Sequence, residues 1–145
     1  MMIQRMDHVG IVVDDLAGAV EFFTGLGLEP QGERSADGAW ADRVLGLDGV
    51  RVEIAFLQTP DGHGRLELAK FHAPPAVHGE PHAPANARGL RHIAFLVDDI
   101  DAAVAGVRAR GAELVGEVVR YEDVYRLCLV RGPEEIIVEL AERIG

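Results

Sequence analysis

With 145 residues, 48% of them hydrophobic, the chain has enough apolar side chain to fold around its own core. A formal charge of -10, from 24 acidic and 14 scattered basic residues, argues against a phosphate backbone as partner, and no apolar run approaches the roughly 18 residues of a membrane span. The opening MMIQRMDHVG has no basic-then-apolar signal, so a cytoplasmic location is expected; the single cysteine, Cys128, excludes an intrachain disulfide or a thiolate cluster and leaves His, Asp and Glu as the available metal donors.

In chain order, the first predicted element is a strand over DHVGIVV, where apolar residues alternate. The acidic pair Asp14-Asp15 then supplies a cap for a helix whose apolar stripe is Leu16, Ala19, Val20 and Phe23, with Gly27 just past its end. Strands are expected at Leu28 to Arg34, Val50 to Gln58 and Gly64 to Phe71. HAPPAVHGEPHAPANAR, residues 72 to 88, holds four of the seven prolines and reads as a crossover linker. The pattern then restarts. RHIAFLV repeats DHVGIVV at an offset of 84 residues, a correspondence that runs without a gap from His8 to Glu33 and pairs His8 with His92, Asp14-Asp15 with Asp98-Asp99, Gly27 with Gly111, and Gly32-Glu33 with Gly116-Glu117. The second helix stripe is Ile100, Ala103, Val104 and Val107, followed by strands at Glu113 to Tyr121, Tyr125 to Val130 and Ile136 to Ala141. RLELA (65–69) matches IVELA (137–141) at the smaller offset of 72, so the first copy carries 12 extra residues, expected around ADGAWADRVLGLDG. The prediction is an α+β chain of two βαβββ modules in one domain, residues 1–71 and 89–145, joined by the linker 72–88.

Strand parity sorts the polar residues. In the first strand His8, Gly10 and Val12 share one face while Val9, Ile11 and Val13 meet the helix; in its echo His92, Ala94 and Leu96 oppose Ile93, Phe95 and Val97. In the last strands Glu67 lies on the face of Arg65 and Ala69, and Glu139 on that of Ile137 and Ala141. Each module thus offers one His and one Glu away from its helix, flanked by small residues. If a pseudo-twofold brings these faces together, two imidazoles and two carboxylates converge on one divalent ion; zinc, nickel, cobalt, manganese and iron(II) all suit these donors.

At DHVGIVVDDL, LELAKF, GLRHIAFLVDDID and IIVELAE the sequence resembles the vicinal oxygen chelate superfamily, which includes glyoxalase I, methylmalonyl-CoA epimerase, extradiol dioxygenases, fosfomycin-resistance enzymes and bleomycin-binding proteins. The resemblance spans nearly the whole chain. It implies paired βαβββ modules in a curved mixed sheet with outer helices, with His8, Glu67, His92 and Glu139 as metal ligands. By likeness to glyoxalase I, Glu139 is the proton-abstracting base and Glu67 its counterpart, so both are candidate catalytic residues. The implied function is a metal-dependent lyase or isomerase that removes a proton beside a carbonyl of a small-molecule substrate. Some relatives dimerise, which makes a homodimer an open expectation. Glu67 is followed by LAKFHAP where glyoxalase I continues Thr-His-Asn-Trp, and it stands where the epimerase has Gln. A drug- or metabolite-binding protein of the bleomycin-resistance kind is the alternative, and a dioxygenase, which needs only His, His and one Glu, a third.

Candidate substrate-contacting residues are Trp40 and Arg43 in the inserted segment, Tyr121 and Tyr125 bracketing YEDVY, and Arg126. For Trp40 a packed surface-helix role competes, for either arginine a structural ion pair, and for the tyrosines an ordinary hairpin rim. His63, His72, His78 and His82 fall in or near loops and are expected to be solvated or to stand at a pocket rim rather than to form a second site, and Cys128 among Leu127, Leu129 and Val130 reads as a core hydrophobe. Ser35 is the only serine, so no G-x-S-x-G elbow exists, and GLGLEP follows a helix and lacks the third glycine of a dinucleotide loop.

Overall fold

The structure, a computed structural model, describes residues 2–145. It divides into two compact units, Met1–His78 and Gly79–Gly145. The first contains β1 (Val9–Val12), α1 (Leu16–Leu26), β2 (Glu29–Asp37), α2 (Ala39–Leu45), β3 (Arg51–Gln58) and β4 (Arg65–Ala73). Its four-stranded sheet has the order β1-β4-β3-β2, with β1 parallel to β4 and the other pairs antiparallel.

Local chemistry sets the boundaries of α1. The Asp15 carboxylate accepts from the Gly18 backbone N–H at 2.9 Å, satisfying a donor that a helix start leaves open. Gly27 closes the helix at φ 114°, a left-handed conformation open to glycine. The buried side is Ala19, Phe22 and Phe23, so Phe22 joins the expected stripe while Val20 is only part-buried. The helix packs across β3 and β4, burying Ala55, Leu57, Leu66 and Leu68.

The extra residues of the first copy form α2. Asp42 ties them down: its two carboxylate oxygens accept from the N–H groups of Gly49 (3.0 Å) and Val50 (2.8 Å), where the chain re-enters the sheet. Ala41 is buried and packs into a second apolar cluster with Ala36, Val50, Val52 and Ala69, flanked by Ile54 and Phe71. Because Ala36 pairs with Val52, and Ala69 with Ile54, this cluster occupies the sheet face opposite α1. The insertion therefore covers one end of that face.

The second unit contains β5 (His92–Val97), α3 (Ile100–Ala109), β6 (Glu113–Leu114), β7 (Val119–Tyr121), β8 (Tyr125–Arg131) and β9 (Ile137–Arg143), with order β5-β9-β8-β6 and β7 also paired to β8. Asp99 caps α3 by accepting from Ala102 N–H at 3.0 Å, and the Glu142 carboxylate accepts from Ile100 N–H at 2.8 Å. Ile100, Val107, Cys128, Val130, Val138 and Leu140 form the buried core. Burial pushes the Cys128 thiol pKa up, in keeping with a packing role.

Several strand ends shift by up to three residues, β1 beginning at Val9 and β2 running on to Asp37, and two strands are interrupted at equivalent glycines. The predicted strand Glu113 to Tyr121 is two short strands, broken around Gly116, and β2 carries a register shift between Pro30 and Glu33 where Gly32 adopts φ 112°. Gly32 and Gly116 are repeat partners. A glycine inside a strand pattern marks a bulge or bend, and here both copies bend at the same place. β4 runs two residues past its predicted end, to Ala73, and residues 74–91 form neither helix nor strand.

Candidate functional site

In the first unit β1 and β4 lie side by side in register, Gly10 opposite Glu67 and Val9 opposite Leu66. Leu66 and Leu68 are buried under α1, so Glu67 must project from the opposite face; His8, two residues before Gly10, projects with it. The His8 Nε2 lies 2.8 Å from the Glu67 Oε2, and the His8 Nδ1 lies 2.8 Å from the Asp7 Oδ2. Side-chain exposures of 36% for His8 and 24% for Glu67 leave the pair open to a ligand. Gly10 has no atom within 4 Å of where a Cβ would stand, so space remains beside Glu67.

Asp7 is held in turn by Arg5 at 3.3 Å and Arg65 at 3.7 Å. The His8 imidazole, and next the Arg5 guanidinium, keep the Asp7 carboxyl below its usual range. An aromatic ring completes the surroundings. Phe56 pairs with Glu67 across β3 and β4; the His8 ring meets it edge-on at 6.2 Å, and the guanidinium carbons of Arg65 and Arg34 lie 4.8 and 5.4 Å from its centroid.

The second unit repeats the pair more loosely. Ala94 lies opposite Glu139, Leu129 flanks it on β8, and the His92 Nε2 is 3.5 Å from the Glu139 Oε1, beyond ordinary hydrogen-bond length. The residue before His92 is Arg91, whose guanidinium donates to the carbonyls of Ala83 and Pro84.

Each pair sets an imidazole nitrogen against a carboxylate oxygen. Both atoms carry lone pairs, so their contact needs a proton or a cation between them, and the donor chemistry fits a divalent ion. The Asp7 contact to Nδ1 strengthens the fit: a carboxylate on the far ring nitrogen is the usual support of a metal-binding imidazole. Among the described residues no group of three or more His, Cys, Asp or Glu side chains is gathered closely enough to hold an ion, so each unit supplies two of the four expected donors and neither forms a complete cage.

The expected substrate contacts are placed unevenly. Trp40, 63% exposed, and Arg43 sit on α2, the helix that covers the far end of the Glu67 face. Tyr121 and Tyr125 pair across a tight turn whose central residues, Glu122 and Asp123, have φ 48° and 56°, and Tyr125 falls on the Glu139 face by parity. Arg126 falls on the opposite face, where two bonds of 2.9 and 3.0 Å join it to Asp101 of α3; the guanidinium holds the Asp101 carboxyl pKa down. It makes the structural ion pair that its sequence position allowed. His72, His78 and His82 contact Glu53, Asp14 and Glu135. A groove of about 320 Å³ beside α1, lined by Leu16, Ala17, Glu33, Ser35 and Glu53 among others, contains none of the four candidate ligands.

Sequence reasoning had given no role to Asp7, Phe56 or Arg34. The one available signal is the break in the repeat at Asp7, whose echo is Arg91.

Comparison with known proteins matches residues 5–140 to the family model described as Glyoxalase/Bleomycin resistance protein/Dioxygenase superfamily. A glyoxalase family protein from Bacillus cereus has a solved structure with a TM-score of 0.96 and 48% identity, covering 100% of this chain and 97% of that one. The uncharacterized protein YaeR of Escherichia coli is 30% identical over 97% of this chain and 98% of its own length. The fosfomycin resistance protein FosX of Listeria monocytogenes, solved with Mn(II) and a sulfate ion, shares the fold at a TM-score of 0.60 and 16% identity, covering 97% of this chain and 93% of that one. With a match over nearly its full length, this chain belongs to the glyoxalase/bleomycin resistance protein/dioxygenase superfamily.

Proposed function

We propose that this chain is a metal-dependent enzyme of the glyoxalase or epimerase type, a lyase or isomerase acting on a small carbonyl compound, with His8, Glu67, His92 and Glu139 holding one divalent ion. The observation that carries this reading is the His8–Glu67 contact of 2.8 Å, backed by Asp7 and echoed by His92 and Glu139 on equivalent strands. Manganese in FosX, a relative in fold, supports a divalent ion as the cofactor class. When bound, such an ion polarises a substrate carbonyl and raises the acidity of the neighbouring C–H.

The side chains do the rest. The two imidazoles donate neutral nitrogen, and the two carboxylates offset the double charge. Asp7 accepts from Nδ1 of His8 and so presents Nε2 toward Glu67. Glu139 takes a proton from the carbon beside the carbonyl and returns it to a neighbouring atom, as a general base and then a general acid. Its 3.5 Å separation from His92, against 2.8 Å for Glu67 and His8, supports Glu139 as the freer carboxylate of the two.

Metal analysis of protein purified without chelator should find one ion per chain. No ion in the wild type would sink the proposal and leave a ligand-holding scaffold of the bleomycin-resistance kind. Glu139→Gln should retain the folded circular-dichroism spectrum and lose turnover; full activity on a substrate that the wild type converts would refute the role of Glu139.

A further inference from the structure

Phe56 is the centre of an arrangement that proton abstraction does not use. From β2 on one side and β4 on the other, Arg34 and Arg65 bring their guanidinium carbons to 5.4 and 4.8 Å from its ring centroid, while the His8 ring approaches edge-on at 6.2 Å. These groups surround the ring on the sheet face that carries Glu67, since Phe56 and Glu67 are register partners and Arg34 pairs with Ile54, which has the parity of Phe56.

Two guanidinium ions thus lie over one ring, and the chain supplies them with little negative charge. Arg65 has Asp7 at 3.7 Å. Arg34 has no carboxylate within ion-pair distance among the described residues, although the chain holds 24 acidic side chains against 14 basic ones. Of the neighbouring carboxylates, Glu67 contacts His8, and Asp7 is shared among His8, Arg5 and Arg65. A guanidinium left open in so acidic a protein, sharing an aromatic ring with His8 of the His8–Glu67 pair, has the chemistry of an anion receptor: its planar fork offers parallel N–H donors to the two oxygens of a carboxylate, phosphonate or phosphate.

We infer that the substrate of this site carries an oxyanion, which Arg34 binds with help from Arg65 while the rest of the molecule lies against His8 and Glu67. This rests on the site proposed above and deepens it by naming the substrate class. The surrounding groups suit such a ligand, because Phe56 gives an apolar floor and Gly10 leaves space beside Glu67.

To examine this, the full chain, metal-free and zinc-loaded, is titrated with methylphosphonate and with acetate at low ionic strength, following the arginine Nε–H resonances by NMR. The expected result is saturable, salt-sensitive binding of one equivalent that shifts the Arg34 signal. Arg34→Gln should weaken it at least tenfold and Arg34→Lys less. Arg108→Gln on α3, an equal change of net charge, should leave it unaltered. Tighter methylphosphonate assigns a phosphonate or phosphate ester, and tighter acetate a carboxylate. Absence of saturable binding in both forms, or equal affinity in Arg34→Gln and wild type, overturns the inference. Zinc stoichiometry, measured on the same samples, keeps the two claims apart: Arg34-dependent anion binding in a chain that holds no zinc leaves the receptor standing and removes the metal, and the reverse result removes the receptor alone.

Discussion

The two units build the same His–Glu pair on the same strand topology, yet hold it differently. In Met1–His78 the contact is 2.8 Å, with a carboxylate behind the imidazole and a helix covering the far end of the face. In Gly79–Gly145 the contact is 3.5 Å, and the residue before the histidine is an arginine bonded to the chain segment 83–84. The strands, caps and glycine bends are common to both because they arise from local rules that the repeat copied. The surroundings of the pair differ because they depend on residues outside the copied pattern. A duplicated scaffold can in this way carry one close His–Glu pair and one more widely spaced pair, and under the proposed function that difference matches a carboxylate that holds an ion and one that transfers a proton.

The comparison can be tested where the units should agree and where they should not. The largest effect is expected in the cores: Leu68 and Leu140 are fully buried under their respective helices, so Leu68→Ala and Leu140→Ala should each cost about 2–5 kcal/mol in chemical denaturation. A loss below about 1 kcal/mol for either would mean that its core is not packed as its counterpart is. Next is Asp7, which has no acidic counterpart. Asp7→Asn should weaken metal affinity by about 10–100-fold, because the supporting acceptor on Nδ1 loses its charge, whereas Arg91→Gln should leave it within a few-fold. Competition with a metal-sensitive dye measures both, and equal effects would erase the proposed asymmetry.

The smallest effect belongs to the ion pair Arg126–Asp101, found in the second unit only. Arg126 lowers the folded-state pKa of Asp101, so the pair contributes stability above the unfolded value of about 3.9 and loses it as pH falls through the lower folded value. Asp101→Asn should therefore lower the melting temperature slightly at neutral pH, and the difference from wild type should close toward pH 2. A constant difference across that range would show that the pair is not its origin.

Much of the candidate site was legible from residue order. Strand parity put His8 with Gly10 and Glu67 with Ala69 away from α1, and the repeat doubled the argument at His92 and Glu139. Parity is a property of successive residues and needs no knowledge of neighbours. The N-caps Asp15 and Asp99 were equally visible, since a cap acts within its own first turn. Arg126 was harder: its parity puts it on the helix face, but the choice between a substrate anion and Asp101 depends on where α3 lies over β8.

The sequence by itself determined the duplication, the two βαβββ patterns, the faces of the four candidate ligands and the family. Only the tertiary structure decided that Asp7 backs His8, that Phe56 gathers two guanidinium groups beside Glu67, that the inserted residues fold as a helix over one end of that face, and that Arg126 is committed to Asp101. The physical reason is range. Periodicity and capping operate between residues a few positions apart, whereas these contacts are set by the register of strands distant in sequence and by which side chains that register leaves facing one another.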